Sequence, residues 1–367
     1  MTTTSAPIGV GVIGASPMNP GWAMAAHVPA IQAQPDFFLA AVATSSPTSA
    51  AAAAAALGVP AFSDPDLLIQ HPDVELVVIA VKVAHHHTLA AAAIEAGKPV
   101  FVEWPLGRTL GEAEDLAARA ARAGVRSFIG LQGRFAPAVS RVRALVAGGS
   151  IGRVLSTTLS GSGMIWGDKI PQTFAYTVTK DAGAGVLPVP MIHALDAVAF
   201  ALGDFTQLSA IAAVQRPRVG VLETGEVLAA TAPDYIALSG SLQGGALMTA
   251  LYRGAAIHGP NLRWEVNGTL GDLIVTADNG NFQVADLSLE GAWGEAADFA
   301  PVPPMEPVAV PADVGFGANV FRAYGAIAHD LRAGARTVPD FYHAVRRHRL
   351  LAAIERAMAT GQSQEPT

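Results

Sequence analysis

The sequence predicts two folded halves. Residues 1–135 read as a doubly wound α/β domain with a parallel sheet, and residues 136–367 as an α+β domain with an open, mainly antiparallel sheet. Three observations carry this. Apolar runs alternate with helical stretches up to residue 131. The runs are apolar along their length, as strands covered on both faces by helices are. Beyond residue 150 the pattern changes to period-two segments divided by Gly- and Asn-rich turns.

The first strand spans 8–13 and ends at Gly14. A Gly/Pro loop leads into a helix over 22–34. Strand 38–44 is followed by a polar turn and an Ala-rich helix. Strand 75–83 is almost entirely Val, Ile and Ala. Helices over 88–96 and 110–123 stop at Gly97 and Gly124, residues suited to a left-handed C-cap. Strands 99–103 and 125–131 complete the series. Parallel strands joined this way form a Rossmann-type sheet, whose ligands sit outside the carboxyl ends where the strand order reverses. Helix 137–147 follows. The second half then carries strands at 154–161, 235–242, 246–253, 262–266 and 272–276, with helices at 321–333 and 341–360. Residues from 362 onward are expected to be disordered.

Composition narrows the class. The chain is 51% hydrophobic and 14% charged, enough for two cores and unlike a disordered chain. Its net charge is −7 and no basic stripe stands out, which argues against nucleic acid as a partner. Cysteine is absent, so disulfides, thiolate metal sites and a cysteine nucleophile are excluded. No basic, apolar leader precedes the first strand. The alanine run at 50–56 is far short of the roughly 20 residues that span a bilayer. The expectation is a cytoplasmic protein without a membrane partner.

The loop containing Gly14, Ser16, Gly21 and Trp22 joins the first strand to the first helix. Glycine at such an exit permits a tight turn, and the helix start offers unpaired N–H groups to a pyrophosphate. The loop is longer than G-x-G-x-x-G, so its position carries the reading. The end of the second strand holds Thr44, Ser45 and Ser46 in place of the acid typical of NAD sites. Three hydroxyls and no carboxylate favour NADP(H) over NAD(H).

Four stretches carry a family likeness: Gly21, Trp22 and Ala23 with His27 to Ile31; Phe101 to Trp104; Leu131 to Arg134 with Pro137; and Val266 to Asp272. On these the chain resembles the Gfo/Idh/MocA family of sugar and inositol oxidoreductases along nearly its whole length, and its Gal80-like branch most. The resemblance implies a cofactor lined by Lys82, His86, Glu103, Trp104 and Gln132 as well as the first loop. It also implies a closing helix at 341–360 that packs back on the first domain, and a homodimer or homotetramer. Three departures stand out. The usual Glu-Lys-Pro is Glu103, Trp104, Pro105. Of Asp-x-Gly-x-His only His193 remains, with Val189 and Met191 in the other places. Of Thr-Pro-Asn-x-x-His only His86 remains, and Lys82 stands where proline is usual.

His193, Tyr176 and Lys82 are the candidates for proton transfer, since imidazole, phenol and a cofactor-adjacent amine can each move a proton near neutral pH. Trp104, Trp166, Tyr176, Asp181 and His193 are the candidates for substrate contact, the indoles as faces for a sugar ring. Each side chain also has a plain structural use. His85, His86 and His87 do not read as a metal site, because consecutive loop side chains diverge and no carboxylate stands at ligand spacing. The leading expectation is an NAD(P)-dependent oxidoreductase acting on a small-molecule sugar, polyol or related carbonyl compound. The alternatives are a non-catalytic, cofactor-binding Gal80-like regulator, or a redox-assisted lyase or glycosidase with tightly held cofactor.

Overall fold

A computed structural model describes residues 6–305 and 309–366. The chain forms two compact units, Met1–Leu131 with Val308–Val345 and Gln132–Pro307 with Arg346–Thr367.

The first unit is built on six parallel strands: β1 (Ile8–Ile13), β2 (Phe37–Ala43), β3 (Ala61–Phe62), β4 (Leu76–Ile79), β5 (Val100–Glu103) and β6 (Ser127–Gly130). Their order is β3-β2-β1-β4-β5-β6, so the sequence of strands reverses between β1 and β4. All four β4 side chains are fully buried. Each such burial is worth roughly 1.5–3 kcal/mol, which is why this run forms the centre of the sheet. The intervening helices are α1 (Val28–Ala33), α2 (Pro47–Leu57), α3 (Pro65–Ile69), α4 (His86–Glu95) and α5 (Leu110–Ala123). Local chemistry fixes their ends. Thr109 accepts from Glu112 N at 3.1 Å and Gly124 closes α5 at φ 63°, so the predicted span is matched residue for residue. Ser46 and Ser49 form a reciprocal capping box ahead of α2.

The third strand is shorter than the predicted 75–83. Its last ladder bond is Ala80 N to Ile13 O, and Val83–His85 already forms a tight helical turn. An apolar run does not mark where pairing stops. The helix Ala318–Ala333 also belongs to this unit. Its Asp330, fully buried, accepts from Thr337 N, Thr337 Oγ1 and Val338 N at 2.7–3.0 Å, which ties down the turn after the helix.

The second unit opens with α6 (Pro137–Ala147) and later adds α7 (Ile192–Leu202). Its strands are β7 (Val154–Ser162), β8 (Lys169–Ile170), β9 (Phe205–Ala213), β10 (Arg218–Val221), β11 (Val227–Ala229), β12 (Tyr235–Leu242), β13 (Leu247–Arg253), β14 (Leu262–Gly268), β15 (Gly271–Ala277), β16 (Ser288–Trp293) and β17 (Ala300–Pro301). Eight of them form one sheet in the order β17-β16-β15-β14-β7-β13-β12-β9. Every neighbour pair is antiparallel except β7 with β13, so the predicted mainly antiparallel sheet is present. On its inner face the fully buried Trp264 meets the ring of Phe282 edge-on at 6.0 Å and donates to Thr157 Oγ1 at 2.9 Å. The sequence reading missed β9, where the register shifts opposite Ser241 and Leu242 and breaks the period of two. It also missed the small sheet β11-β10-β8, part of which falls in a region read as loop.

The expected disorder from residue 362 is corrected. Gln364 exchanges two backbone hydrogen bonds with Leu208, at 2.8 and 2.7 Å. The tail thereby covers the otherwise unpaired edge of β9. Within Phe341–Thr360, burial lowers the His348 imidazole from its ordinary 6.5 to about 4. The unfolded chain takes up that proton first, so stability is full above pH 6.5 and falls as the pH drops toward 4. Urea unfolding should lose about 2 kcal/mol from this group between pH 7 and pH 5. His348→Leu should remove that part of the slope; an unchanged slope would show that the ring is not buried neutral.

Candidate functional site

In the first unit the site builds from the reversal point between β1 and β4. β1 leaves the sheet at Gly14, φ 111°, where an added Cβ would lie 2.4 Å from Ala80 O. The two strand exits touch there, and only glycine fits. The loop runs on to Gly21, whose carbonyl accepts from Met24 N and Ala25 N at 3.1 and 3.0 Å. The helix therefore starts at Trp22, and its first turn, Ala23–His27, is π-helical before α1 continues it. A π turn leads into His193 as well, at Leu187–Met191. Such turns recur at functional sites.

A dinucleotide fits this edge. The helix start presents backbone N–H groups beside a loop that has no side chain at Gly14 or Gly21. The Trp22 Nε1–H is buried and meets no acceptor within the described residues, an arrangement that costs about 1–3 kcal/mol until a partner arrives. Gly14, Ser16, Gly21, Trp22, Lys82 and Glu103 all stand on loops or strand ends of this one edge.

The hydroxyl cluster at the end of β2 is corrected. Ser49 Oγ donates to Thr44 Oγ1 at 2.8 Å and lies 2.9 Å from Ser46 Oγ. Thr44 and Ser46 are thus engaged in capping α2, and only Ser45 of the three is exposed. The three-hydroxyl basis for NADP(H) is gone, because two of the groups serve the helix.

The three consecutive histidines diverge. His85 is exposed. His87 Nε2 lies 2.8 Å from Asp115 Oδ2, on the α4–α5 surface. The buried His86 ring sits between two carbonyls, Nδ1 2.8 Å from Pro105 O and Nε2 2.9 Å from Val81 O. Burial pushes its imidazole below the ordinary value. Both ring nitrogens face backbone, so a side-chain contact from His86 to a cofactor is not what the geometry offers. Lys82 is exposed at the end of β4. Trp104 precedes a cis peptide bond to Pro105 and is only 5% exposed, so its indole is not laid open as a stacking face.

Sequence reasoning missed two partners. Glu103 Oε1 lies 2.8 Å from His27 Nε2, and His27 Nδ1 lies 2.9 Å from Tyr324 Oη, all three being buried. The signal for His27 was its place in an otherwise apolar helix; Tyr324 is remote in sequence and gave none.

The second unit carries the other candidates. His193 is in the first turn of α7 and 4% exposed. Asp196, one turn on, is committed elsewhere: Arg134 meets it in bidentate fashion, Nη2 to Oδ1 at 2.7 Å and Nε to Oδ2 at 3.1 Å. The same guanidinium lies over the Phe200 ring at 4.8 Å. Arg347 Nε lies 3.7 Å from Asp196 Oδ1 and pairs with Asp204. Arg134 is therefore a structural cation of this unit, and Gln132 beside it is buried. Trp166 donates from Nε1 to Thr177 Oγ1 at 2.8 Å. It lines a narrow crevice with Thr177, Val178, Val219, Arg216 and Asp234. Tyr176 is half-buried, and burial raises its phenol above the ordinary value, so it stays protonated at neutral pH. Asp181 is exposed.

Comparison with known proteins fits this geometry. Residues 8–131 match the family model described as oxidoreductase family, NAD-binding Rossmann fold, and residues 137–277 match Gal80p, C-terminal domain. The chain is similar to the Gfo/Idh/MocA oxidoreductases over its first unit and to the Gal80p C-terminal domain over much of its second. Dehydrogenase aclE of Aspergillus oryzae is 37% identical over 216 residues, 56% of this chain and 57% of that protein. The galactose/lactose metabolism regulatory protein GAL80 of Saccharomyces cerevisiae is 26% identical over 92% of this chain and 83% of its own. A crystal structure of a super-repressor mutant of that regulator has a TM-score of 0.87 at 24% identity, covering 98% of both chains. Levoglucosan dehydrogenase solved with NADH and L-sorbose has a TM-score of 0.83 at 23% identity, covering 99% of this chain and 100% of that one. The chain thus spans little more than half of aclE.

The match to the NAD-binding Rossmann model includes Trp104, at the place where the family resemblance implies a lysine. The aspartate–guanidinium pair gives a sharp test of the second unit. Asp196→Ala leaves Arg134 and Arg347 buried without their shared carboxylate and should cost about 3–5 kcal/mol in urea unfolding. Asp181→Ala, at an exposed position, should stay within about 0.5 kcal/mol. Equal effects would show that Asp196 is not the anchor.

Proposed function

We propose that the chain is an NAD(H)-dependent oxidoreductase acting on a sugar, polyol or related carbonyl compound. The observation that carries this is the edge between β1 and β4, where Gly14, the helix start and the unpaired Trp22 Nε1–H suit a dinucleotide. NAD(H) is preferred to NADP(H) because the β2 end offers one exposed hydroxyl and no cation to a 2′-phosphate. When bound, the dinucleotide supplies a hydride acceptor or donor. The chain's own residues hold it, exclude water and move the hydroxyl proton.

That proton is assigned to His193, with Tyr176 or Lys82 assisting. Imidazole accepts and returns a proton near neutral pH, and the raised Tyr176 phenol remains a donor. Trp166 and Asp181 are assigned to the substrate side. The exposed face of the large sheet shows Ile211, Leu247 and Leu251 to solvent and is where we place self-association into a dimer or tetramer.

A second reading has one specific observation behind it. Trp104 brings an indole where the family resemblance expects an ammonium, and regulation by Gal80-type relatives is an alternative use of the same fold. Turnover separates the two. The purified chain with NAD(H) and a panel of sugars, polyols and their oxidised forms should show a substrate-dependent change at 340 nm. His193→Asn should then lower kcat by about 10²–10⁴-fold with dinucleotide affinity unchanged. Dinucleotide binding without turnover across the panel would favour the regulator.

A further inference from the structure

Two buried histidines that the proposed chemistry does not use grip one turn of the first unit from opposite ends. His27 Nε2 lies 2.8 Å from Glu103 Oε1, and its Nδ1 lies 2.9 Å from Tyr324 Oη. The imidazole thus links the Glu103 carboxyl through one ring nitrogen to the Tyr324 hydroxyl through the other. Burial and the charge of Glu103 push the Tyr324 phenol well above its ordinary value, which keeps it a donor. Two residues beyond Glu103, Pro105 O lies 2.8 Å from His86 Nδ1 and Val81 O lies 2.9 Å from His86 Nε2; the ring, which burial keeps neutral, donates its one hydrogen to one of the two carbonyls and packs against the other.

The result is two groups of polar contacts joined through the backbone of residues 103–105. The first runs from the helix Ala318–Ala333 at Tyr324, through the π turn behind the dinucleotide loop at His27, to the end of β5 at Glu103. The second runs from Pro105, beyond Trp104, to the end of β4 at Val81. Packing fixes the first group further. The His27 ring meets Phe101 edge-on at 5.4 Å, and Tyr324 meets Phe37 at 5.2 Å. A Cβ on Gly130 would lie 2.5 Å from Glu103 Oε1, so the carboxylate rests against bare backbone of β6. A buried polar series of this kind adds little stability over an apolar core; what it adds is one defined arrangement.

We propose that His27, Tyr324 and His86 are positioning residues for the dinucleotide. They hold the 103–105 turn and the first helical turn in the arrangement that accepts the cofactor, so loosening either grip lowers cofactor affinity. The proposal rests on the dinucleotide reading above. The elements joined are those flanking the β1/β4 reversal, and the grip acts on both sides of the position where Trp104 stands.

The test is a double-mutant cycle read in NADH affinity, by fluorescence titration of the intact chain. Tyr324→Phe deletes one oxygen atom, and His86→Gln alters the other grip. Each should weaken NADH by about tenfold, and the double variant by clearly less than the product of the two. His27→Gln, whose amide can still donate to Glu103, should retain more affinity than His27→Ala. A second measurement needs no variant. Backbone hydrogen exchange at 22–27, 81–86 and 103–106 should slow together when NADH is added to the wild type. Wild-type NADH affinity in folded Tyr324→Phe and His27→Ala, or slowing confined to the 14–22 loop, overturns the proposal while leaving the dinucleotide reading in place. No NADH binding by the wild type overturns both.

Discussion

A buried carboxylate at the end of a central strand must be satisfied, and the first unit is arranged around that need. Glu103 closes β5 with its Oε1 on His27, and His27 in turn is held by Tyr324. Each group comes from a different part of the chain, so the helix after the first loop, the end of β5 and the helix Ala318–Ala333 share one requirement. An unsatisfied buried polar group there would cost about 1–3 kcal/mol. The surrounding apolar burial, with β4 wholly enclosed, gives these polar contacts a low-dielectric setting in which geometry counts. The open side of the same edge is left to Gly14, the helix start and Trp22.

Much of this was legible in the sequence. Strong, continuous apolar runs and glycine stops located five of the six parallel strands and α5, because both signals are local; β3, two residues long, gives no such run. The end of β4 was not legible, since Val81 and Val83 look like strand residues but lie beyond the last ladder partner. The hydroxyls after β2 were seen and misjudged. Their residue types suit a phosphate, but Ser49, three residues beyond Ser46, draws them into a helix cap. Tyr324 could not be paired with His27 from sequence at all, since the two are 297 positions apart. In the second unit, the commitment of Asp196 to Arg134 depends on contacts that no local pattern records.

The family relationship sharpens the role of the 103–105 turn. A sugar-oxidoreductase fold usually presents a lysine there, and this chain presents a buried tryptophan between two gripped residues. The proteins it resembles are named both as dehydrogenases and as regulators.

The central claim is that the β1/β4 edge holds a nicotinamide dinucleotide with its 2′ position unphosphorylated. Isothermal titration of the intact chain with NADH and then NADPH addresses it most directly. The account predicts saturable binding of one NADH per chain, with NADPH clearly weaker. Tighter binding of NADPH, or no heat from either dinucleotide, would contradict it.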